Sequence, residues 1–419
     1  MRRRGWSAGT IAMIIFTAVV LCCTAAVILN IRGGRENLNL DAERLSGSIS
    51  ALVASLQTTQ EPAATANPAA TQTPALAEGM PAPVTLPTRT VIPAQDAQTA
   101  APRRTLTLTI GGAFVPSTRV YNGAVVNGQY DADQLFSGIA DALHADMNIA
   151  LLDVSSIGEN TDWWAQAMKR AGFDGAVPLR DNTRGSTRLD VLSTLTGNGL
   201  TGMGAANNDQ GFTLHTLNGV RLAALVYAED AAQAGGLIQP YDGETAAAAI
   251  RQACAQGAQI VLVFMHWKKG TATEPTAAQR AIAQALSDAG ADLMIGTRIG
   301  TVFLVEYVYS EATGRNMLAA WSMGTLLSEN RDDRAAVSGV LLHITLSCDL
   351  ASQGAEFTRV EYTPCYCWGQ EENGVFRYRV LQSALPAPAT MVARQSEIME
   401  RALKLIQDAM NPGIAIQRK

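Results

Sequence analysis

Hydrophobic and polar positions divide the chain into an N-terminal apolar run, a proline-rich stretch and a long alternating block. Residues 8–29 run 22 positions without a charge and are dominated by Ile, Val, Leu and Ala. At ~1.5 Å per helical residue they reach ~33 Å, enough for a bilayer hydrocarbon core of ~30 Å. Arg2, Arg3 and Arg4 precede the run, and Arg32 and Arg35 follow it. The basic start predicts a single-pass helix with a cytoplasmic N-terminus, and so a main domain outside the cell membrane. A cleavable signal peptide is the alternative, with Thr24-Ala25-Ala26 after the apolar core. The run exceeds the ~7–15 residues of a signal core, which favours an uncleaved anchor over residues 1–35.

Residues 36–56 place Leu45, Ile49, Leu52, Val53 and Leu56 near helical spacing and predict a short juxtamembrane helix. Between residues 57 and 104 lie eight of the chain's 16 prolines, interleaved with Ala, Thr and Gln. Proline removes backbone donors and the stretch has no periodic apolar face, so an extended disordered tether is expected there.

From residue 105 onward, short apolar runs alternate with helical patterns. Strands are expected at 105–110, ending at Gly111-Gly112, and at 148–154, 220–227 after an Asn218-Gly219 turn, 260–265 and 292–295. Helices are expected at 132–144, 163–171, 245–256 and 276–289, with an amphipathic terminal helix at 391–410. The run at 260–265 (IVLVFM) suits a strand buried on both faces. Later runs at 302–309, 317–321 and 340–346 follow one another with little helix. The fold class is therefore α/β, with a mixed sheet flanked by helices. The domain is read as 105–383, followed by a C-terminal linker and helix over 384–419.

Composition narrows the function classes. The chain has 419 residues, 47% hydrophobic and 16% charged, which is ample for a buried core and excludes disorder throughout. The formal net charge is −5; because residues 1–35 hold five arginines and no acid, residues 36–419 carry −10 by subtraction. A nucleic-acid binder would need a strongly basic domain instead. Six cysteines are too few for a disulfide-dense scaffold, and the states of Cys254, Cys348, Cys365 and Cys367 stay open. Only four histidines are present, His144, His215, His266 and His343, which limits any histidine-rich metal site.

Several segments, in order, carry a resemblance. They are LTIGG at 108–112, LLD at 151–153, KRAGFDGAVPLRDN at 169–182, GLTGMGAANN at 199–208, VLVFMHW at 261–267, EPTAAQRAIAQALSDAGADLMIG at 274–296 and AAWSMGT at 319–325. EYTPCYCW at 361–368 and YRVL at 378–381 resemble the domain ending. Through these the chain resembles the bacterial capsule synthesis protein CapA family, the poly-γ-glutamate capsule group related to calcineurin-like metallophosphoesterases. The resemblance implies a metallophosphoesterase-like mixed-sheet sandwich and a role in capsule or cell-envelope polymer synthesis or export, alongside capsule-synthesis membrane proteins.

The departures bear on chemistry. Where the family places Gly-Asp this chain has Gly111-Gly112; its Asn-Leu-Glu becomes Leu151-Leu152-Asp153, and its Asn-Asn-His becomes Asp181-Asn182-Thr183. His-Trp-Gly becomes His266-Trp267-Lys268, and Gly-x-His-Pro-His becomes Gly296-Thr297-Arg298-Ile299-Gly300. A two-metal hydrolytic site needs several ligands around ions ~3.5–4 Å apart. Of the matching positions, Asp153, Asn182 and His266 retain ligand chemistry for a divalent metal. The other histidines read as packed or solvated side chains.

The same loops carry Arg180, Arg184, Lys268, Lys269 and Arg298. Arginine binds carboxylates bidentately, so Arg180, Arg184, Lys268 and Arg298 form a candidate anion site for a polymer such as poly-γ-glutamate. Solvated loop charges pairing with Asp181, Asp190 or Glu274 are the plainer account. The expectation is a divergent member without an intact catalytic metal site. A metal-dependent phosphoesterase or amide hydrolase with a reduced ligand set, and a non-catalytic surface module, are the alternatives.

Overall fold

The computed structural model describes residues 103–126, 128–157, 160–179, 186–204, 210–235, 237–268, 274–297, 302–330, 337–350, 354–410 and 417–418. The expected anchor, juxtamembrane helix and tether, up to residue 102, lie outside them. No helix among the described residues is long and apolar enough to cross a membrane.

The block opens with β1 (Arg103–Phe114), helix α1 (Thr118–Gly123) and a small hairpin of β2 (Val125–Val126) and β3 (Gln129–Tyr130). Then follow α2 (Asp133–Phe136), β4 (Met147–Leu152), α3 (Thr161–Ala171), β5 (Gly175–Pro178), α4 (Ser186–Gly197) and β6 (Thr201–Gly202). The middle of the chain supplies β7 (Thr213–Leu217), β8 (Val220–Ala228), β9 (Gln239–Pro240), α5 (Gly243–Ala255), β10 (Ile260–His266), α6 (Ala277–Ala289) and β11 (Leu293–Thr297). Next come β12 (Val305–Ser310), β13 (Arg315–Ala320), β14 (Thr325–Leu327), β15 (Ser338–Asp349), β16 (Gly354–Glu372), β17 (Val375–Gln382), α7 (Ala393–Met410) and β18 (Gln417–Arg418).

Two mixed sheets result. The first runs β17-β16-β15-β1-β4-β5-β6, with β14 beside the end of β1 and β18 beside β16. Its β1, β4, β5 and β6 are parallel, whereas β15, β16 and β17 are antiparallel. The second runs β12-β13-β11-β10-β8-β7, with β9 beside β8; the four strands from β13 to β8 are parallel. The mixed α/β fold expected from the alternation is present, with two main sheets where the pattern suggested one.

Period-two burial explains why the second sheet reads as nearly continuous apolar sequence. Leu222, Ala224 and Val226 of β8, with Ile260, Leu262 and Phe264 of β10, enter a core shared with the first sheet. Ala223, Leu225 and Tyr227, with Val261, Val263 and Met265, pack against α5 and α6 through Ala246, Ile250, Ala283 and Leu286. Successive residues point to opposite faces, so a strand covered on both faces must be apolar at every position. Thr276 and Gln279 form a reciprocal capping box that starts α6, and Gly290 ends it at φ +107°. The Asn218-Gly219 turn, at φ +52° and +83°, joins β7 to β8 as a two-residue hairpin loop.

Several boundaries differ from expectation. β1 does not stop at Gly111-Gly112; it continues to Phe114, and Arg103 and Arg104 belong to it rather than to the linker. The register against β4 shifts between Ile110 and Ala113, so the glycines mark an irregularity within a strand. The helix expected at 132–144 is broken into α2 and a 3₁₀ turn at Ala140–Ala142. Gly138 lies in the gap, bridges Leu381 of β17, and would place a β-carbon 2.5 Å from the Val380 carbonyl oxygen. The close backbone approach wins over helical continuity there. Helix α7 seats Met399, Ala402, Ile406 and Met410 in the main core and so packs as part of the domain.

Candidate functional site

The C-terminal ends of the parallel strands carry the residues singled out by sequence, where loops leave an α/β sheet and ligands commonly bind. Asp153 follows β4 and is 1% exposed. Its backbone N–H donates to the Phe114 carbonyl at 2.8 Å, tying it to the end of β1. Its carboxylate accepts from the Ser155 backbone N–H at 3.0 Å and the Ser155 hydroxyl at 2.5 Å, capping a 3₁₀ turn. The aspartate thus has local structural work, which satisfies a buried carboxylate.

His266 ends β10 and is also buried. Its Nδ1 lies 2.9 Å from the Thr297 hydroxyl at the end of β11, and that hydroxyl donates to the Met265 carbonyl at 3.4 Å. The next residue, Trp267, donates its indole N–H to the Trp321 carbonyl at 2.9 Å, and the two rings stack 6.0 Å apart. Gly296 is required beneath them: a β-carbon there would lie 2.0 Å from the Trp321 oxygen and 2.3 Å from the Trp267 indole nitrogen. The His-Trp pair and the glycine thirty positions on are therefore one packing unit.

The segment from Trp321 to Thr325 connects the two sheets at this end. Its Gly324 carbonyl accepts from the Ala113 N–H at 2.9 Å, and its Met323 carbonyl accepts from Val340 at 3.0 Å. Gly112 lies directly beneath it. A β-carbon on Gly112 would fall 2.5 Å from the Met323 oxygen and 2.9 Å from the Gly324 oxygen. Backbone occupies the space that a metal-binding carboxylate at this position would need.

Lys268 is exposed, and its backbone N–H donates to the Glu229 carboxylate at 2.8 Å. Glu229 in turn donates its N–H to the His266 carbonyl at 2.9 Å. An acid therefore stands at the corner that the sequence marked as basic. Sequence reasoning passed over it, although an acidic pair, Glu229-Asp230, directly following an apolar strand was the available signal. Arg180, Asn182, Arg184 and Arg298, together with Asp181, Thr183, Lys269 and Gly300, lie outside the described residues. The structure thus brings Asp153, His266 and Lys268 to strand ends in both sheets. Among the described residues no group of three His, Cys, Asp or Glu side chains is placed to share a metal ion.

The remaining histidines have other partners. His343 bridges the hydroxyls of Thr109 and Thr363 across β1, β15 and β16, at 3.0 and 2.9 Å. His215 Nε2 lies 2.9 Å from the Thr213 hydroxyl, and burial lowers its pKa below the ordinary 6.5. His144 is exposed. Cys254, Cys348 and Cys365 are free thiols, the Cys367 sulfur donates to the Ser328 carbonyl at 3.6 Å, and burial pushes the Cys365 thiol pKa up, which removes thiolate reactivity.

Two mixed sheets flanked by helices, with the motif residues at parallel strand ends, define an α/β architecture. The chain belongs to the bacterial capsule synthesis protein family PGA_cap, whose model matches residues 107–330. No curated protein matches the chain. Among solved structures it is similar to a novel phosphatase from Mycoplasma pneumoniae, at 10% identity and a TM-score of 0.40 over 62% of this chain and 93% of that one. It is also similar to the sulfate thiohydrolase SoxB of Thermus thermophilus, at 17% identity and a TM-score of 0.31 over 63% of this chain and 43% of that one.

The resemblance to metallophosphoesterases implies a two-metal centre. Among the described residues the donors do not fit it: Gly112 has no room for a carboxylate, and Asp153 is engaged in capping.

Proposed function

We propose that this capsule synthesis family member acts outside the cell membrane, anchored through residues 8–29, in the synthesis or export of an anionic polymer, without metal-dependent catalysis of its own. The observation that carries the non-catalytic reading is the contact between Gly112 and the Met323-Gly324 backbone. A missing carboxylate alone is a one-residue change that evolution can reverse. Here the neighbouring chain fills the vacated volume, and restoring an aspartate would drive a side chain into two carbonyl oxygens.

In place of metal, the strand-end loops offer cationic side chains to polymer carboxylates, with Lys268 and the arginines 180, 184 and 298 as the proposed contacts. Glu229 beside Lys268 tempers the positive field at that corner.

Complementation tests the reading. In cells lacking the protein, the His266→Gln chain is expected to restore as much surface polymer as the unaltered chain. A folded His266→Gln chain that restores none would favour instead a residual hydrolase using Asp153, Asn182 and His266. Protease added to intact cells is expected to degrade the domain; protection would contradict the proposed location.

A further inference from the structure

Just past the ends of β1 and β14, a cavity of about 850 Å³ opens among α1, α7 and the antiparallel side of the first sheet. Three guanidinium groups line it: Arg119 from α1, and Arg394 and Arg401 from α7. Arg119 sits over the Phe376 ring at 5.3 Å, which holds an exposed arginine beside the cavity rather than in open solvent. The Tyr366 hydroxyl donates to Gln395 at 2.5 Å and pins the first turn of α7 to β16. The walls are thus fixed by the fold.

The charge balance points to a ligand. Among the described residues Glu329 is the only acid lining the cavity, and it accepts a hydrogen bond from Ser117 at 2.7 Å. Arg401 has a loose pairing with Glu397 at 3.9 Å, and Arg394 has no ion pair among the described residues. Among the described lining residues three cations face one acid, whereas residues 36–419 as a whole carry a net charge of −10. Arg394 and Arg401 are seven residues apart on one helix face, ~10 Å along the axis. That spacing is too wide for one phosphate or one free carboxylate to span, and suits successive carboxylates of an extended chain. The volume lies within the ~300–1,000 Å³ of pockets that enclose drug-sized ligands, enough for several residues of such a chain.

We propose that this cavity binds an extended polycarboxylate chain, with Arg119, Arg394 and Arg401 as its carboxylate-binding residues. It is a second anion site, built from arginines other than those proposed at the strand-end loops, and it rests on the capsule-polymer reading only for the biological source of the chain.

The test uses the full chain and a fluorescently labelled glutamate decamer, followed by anisotropy at low and physiological salt. The Arg119→Glu, Arg394→Glu double variant is expected to weaken binding at least about tenfold. Arg394→Lys should give an intermediate loss because it forfeits bidentate geometry. Glu329→Gln should tighten binding several-fold, a gain that a damaged fold cannot produce. Decamer binding that survives the double reversal but is lost in Lys268→Glu overturns the cavity and leaves the strand-end site standing. Absence of binding by the intact chain overturns both sites. Inorganic polyphosphate binding tighter than the decamer overturns the carboxylate assignment.

Discussion

At Gly112 a β-carbon would meet two backbone oxygens at 2.5 and 2.9 Å, neither of which can rotate away as a side chain does. Overpacking of this kind costs ~1–3 kcal/mol or more. Gly112→Ala is therefore expected to lose about that much stability, read as a lower urea midpoint at unchanged slope, and a midpoint unchanged from the parent would show that the Met323-Gly324 segment yields freely. Trp267→Phe keeps the ring stack but removes the indole N–H from the Trp321 carbonyl. Losing the partner of a buried acceptor costs ~1–3 kcal/mol, measurable by the same denaturation. His215 supplies a pH dependence. Its folded pKa lies below the ordinary 6.5, so the folded state binds fewer protons than the unfolded chain just below that value. Its contribution to stability is complete above about pH 6.5 and falls as pH drops through the folded value. His215→Gln should flatten that part of the acid-side stability profile; an identical slope in both chains would refute the assignment.

Among the elements, those buried on both faces were the most legible. The apolar run of β10 and the capped, alanine-rich α6 stand within a residue or two of their expected bounds, because pattern and packing agree there. β16 was opaque. Pro364 interrupts its 19 residues, and a proline inside a strand normally argues against one. The structure tolerates it because pairing with β17 begins only at Cys365, leaving Pro364 just outside the doubly paired stretch. The terminal helix was recognised as amphipathic, but its seat on the domain depends on contacts distant in sequence. Ile406 is fully buried, so Ile406→Ala is expected to cost ~2–5 kcal/mol and to destabilise the whole domain. Loss of α7 alone, with the sheets retaining their parent melting temperature, would count against that packing.

For the molecule as a whole, sequence motifs located the strand-end site but not what fills it. Gly112 and Asp153 were marked by departure from a family pattern and His266 by agreement with it, whereas the closeness of the Met323-Gly324 backbone arises from a bulged strand meeting a segment more than two hundred residues later. Arg119, Arg394 and Arg401 carried no signal in sequence, since Arg119 is separated by some 275 positions from the two on α7, and only folding gathers them around one cavity. Both sites belong to the proposal of an envelope protein that engages an anionic polymer rather than cleaving it. The most direct test is the metal content of the purified full chain after expression with Mn, Fe and Zn supplied. The account predicts far less than one ion per chain, with no change in His266→Ala. One or more tightly held ions per chain, lost in His266→Ala, would contradict it.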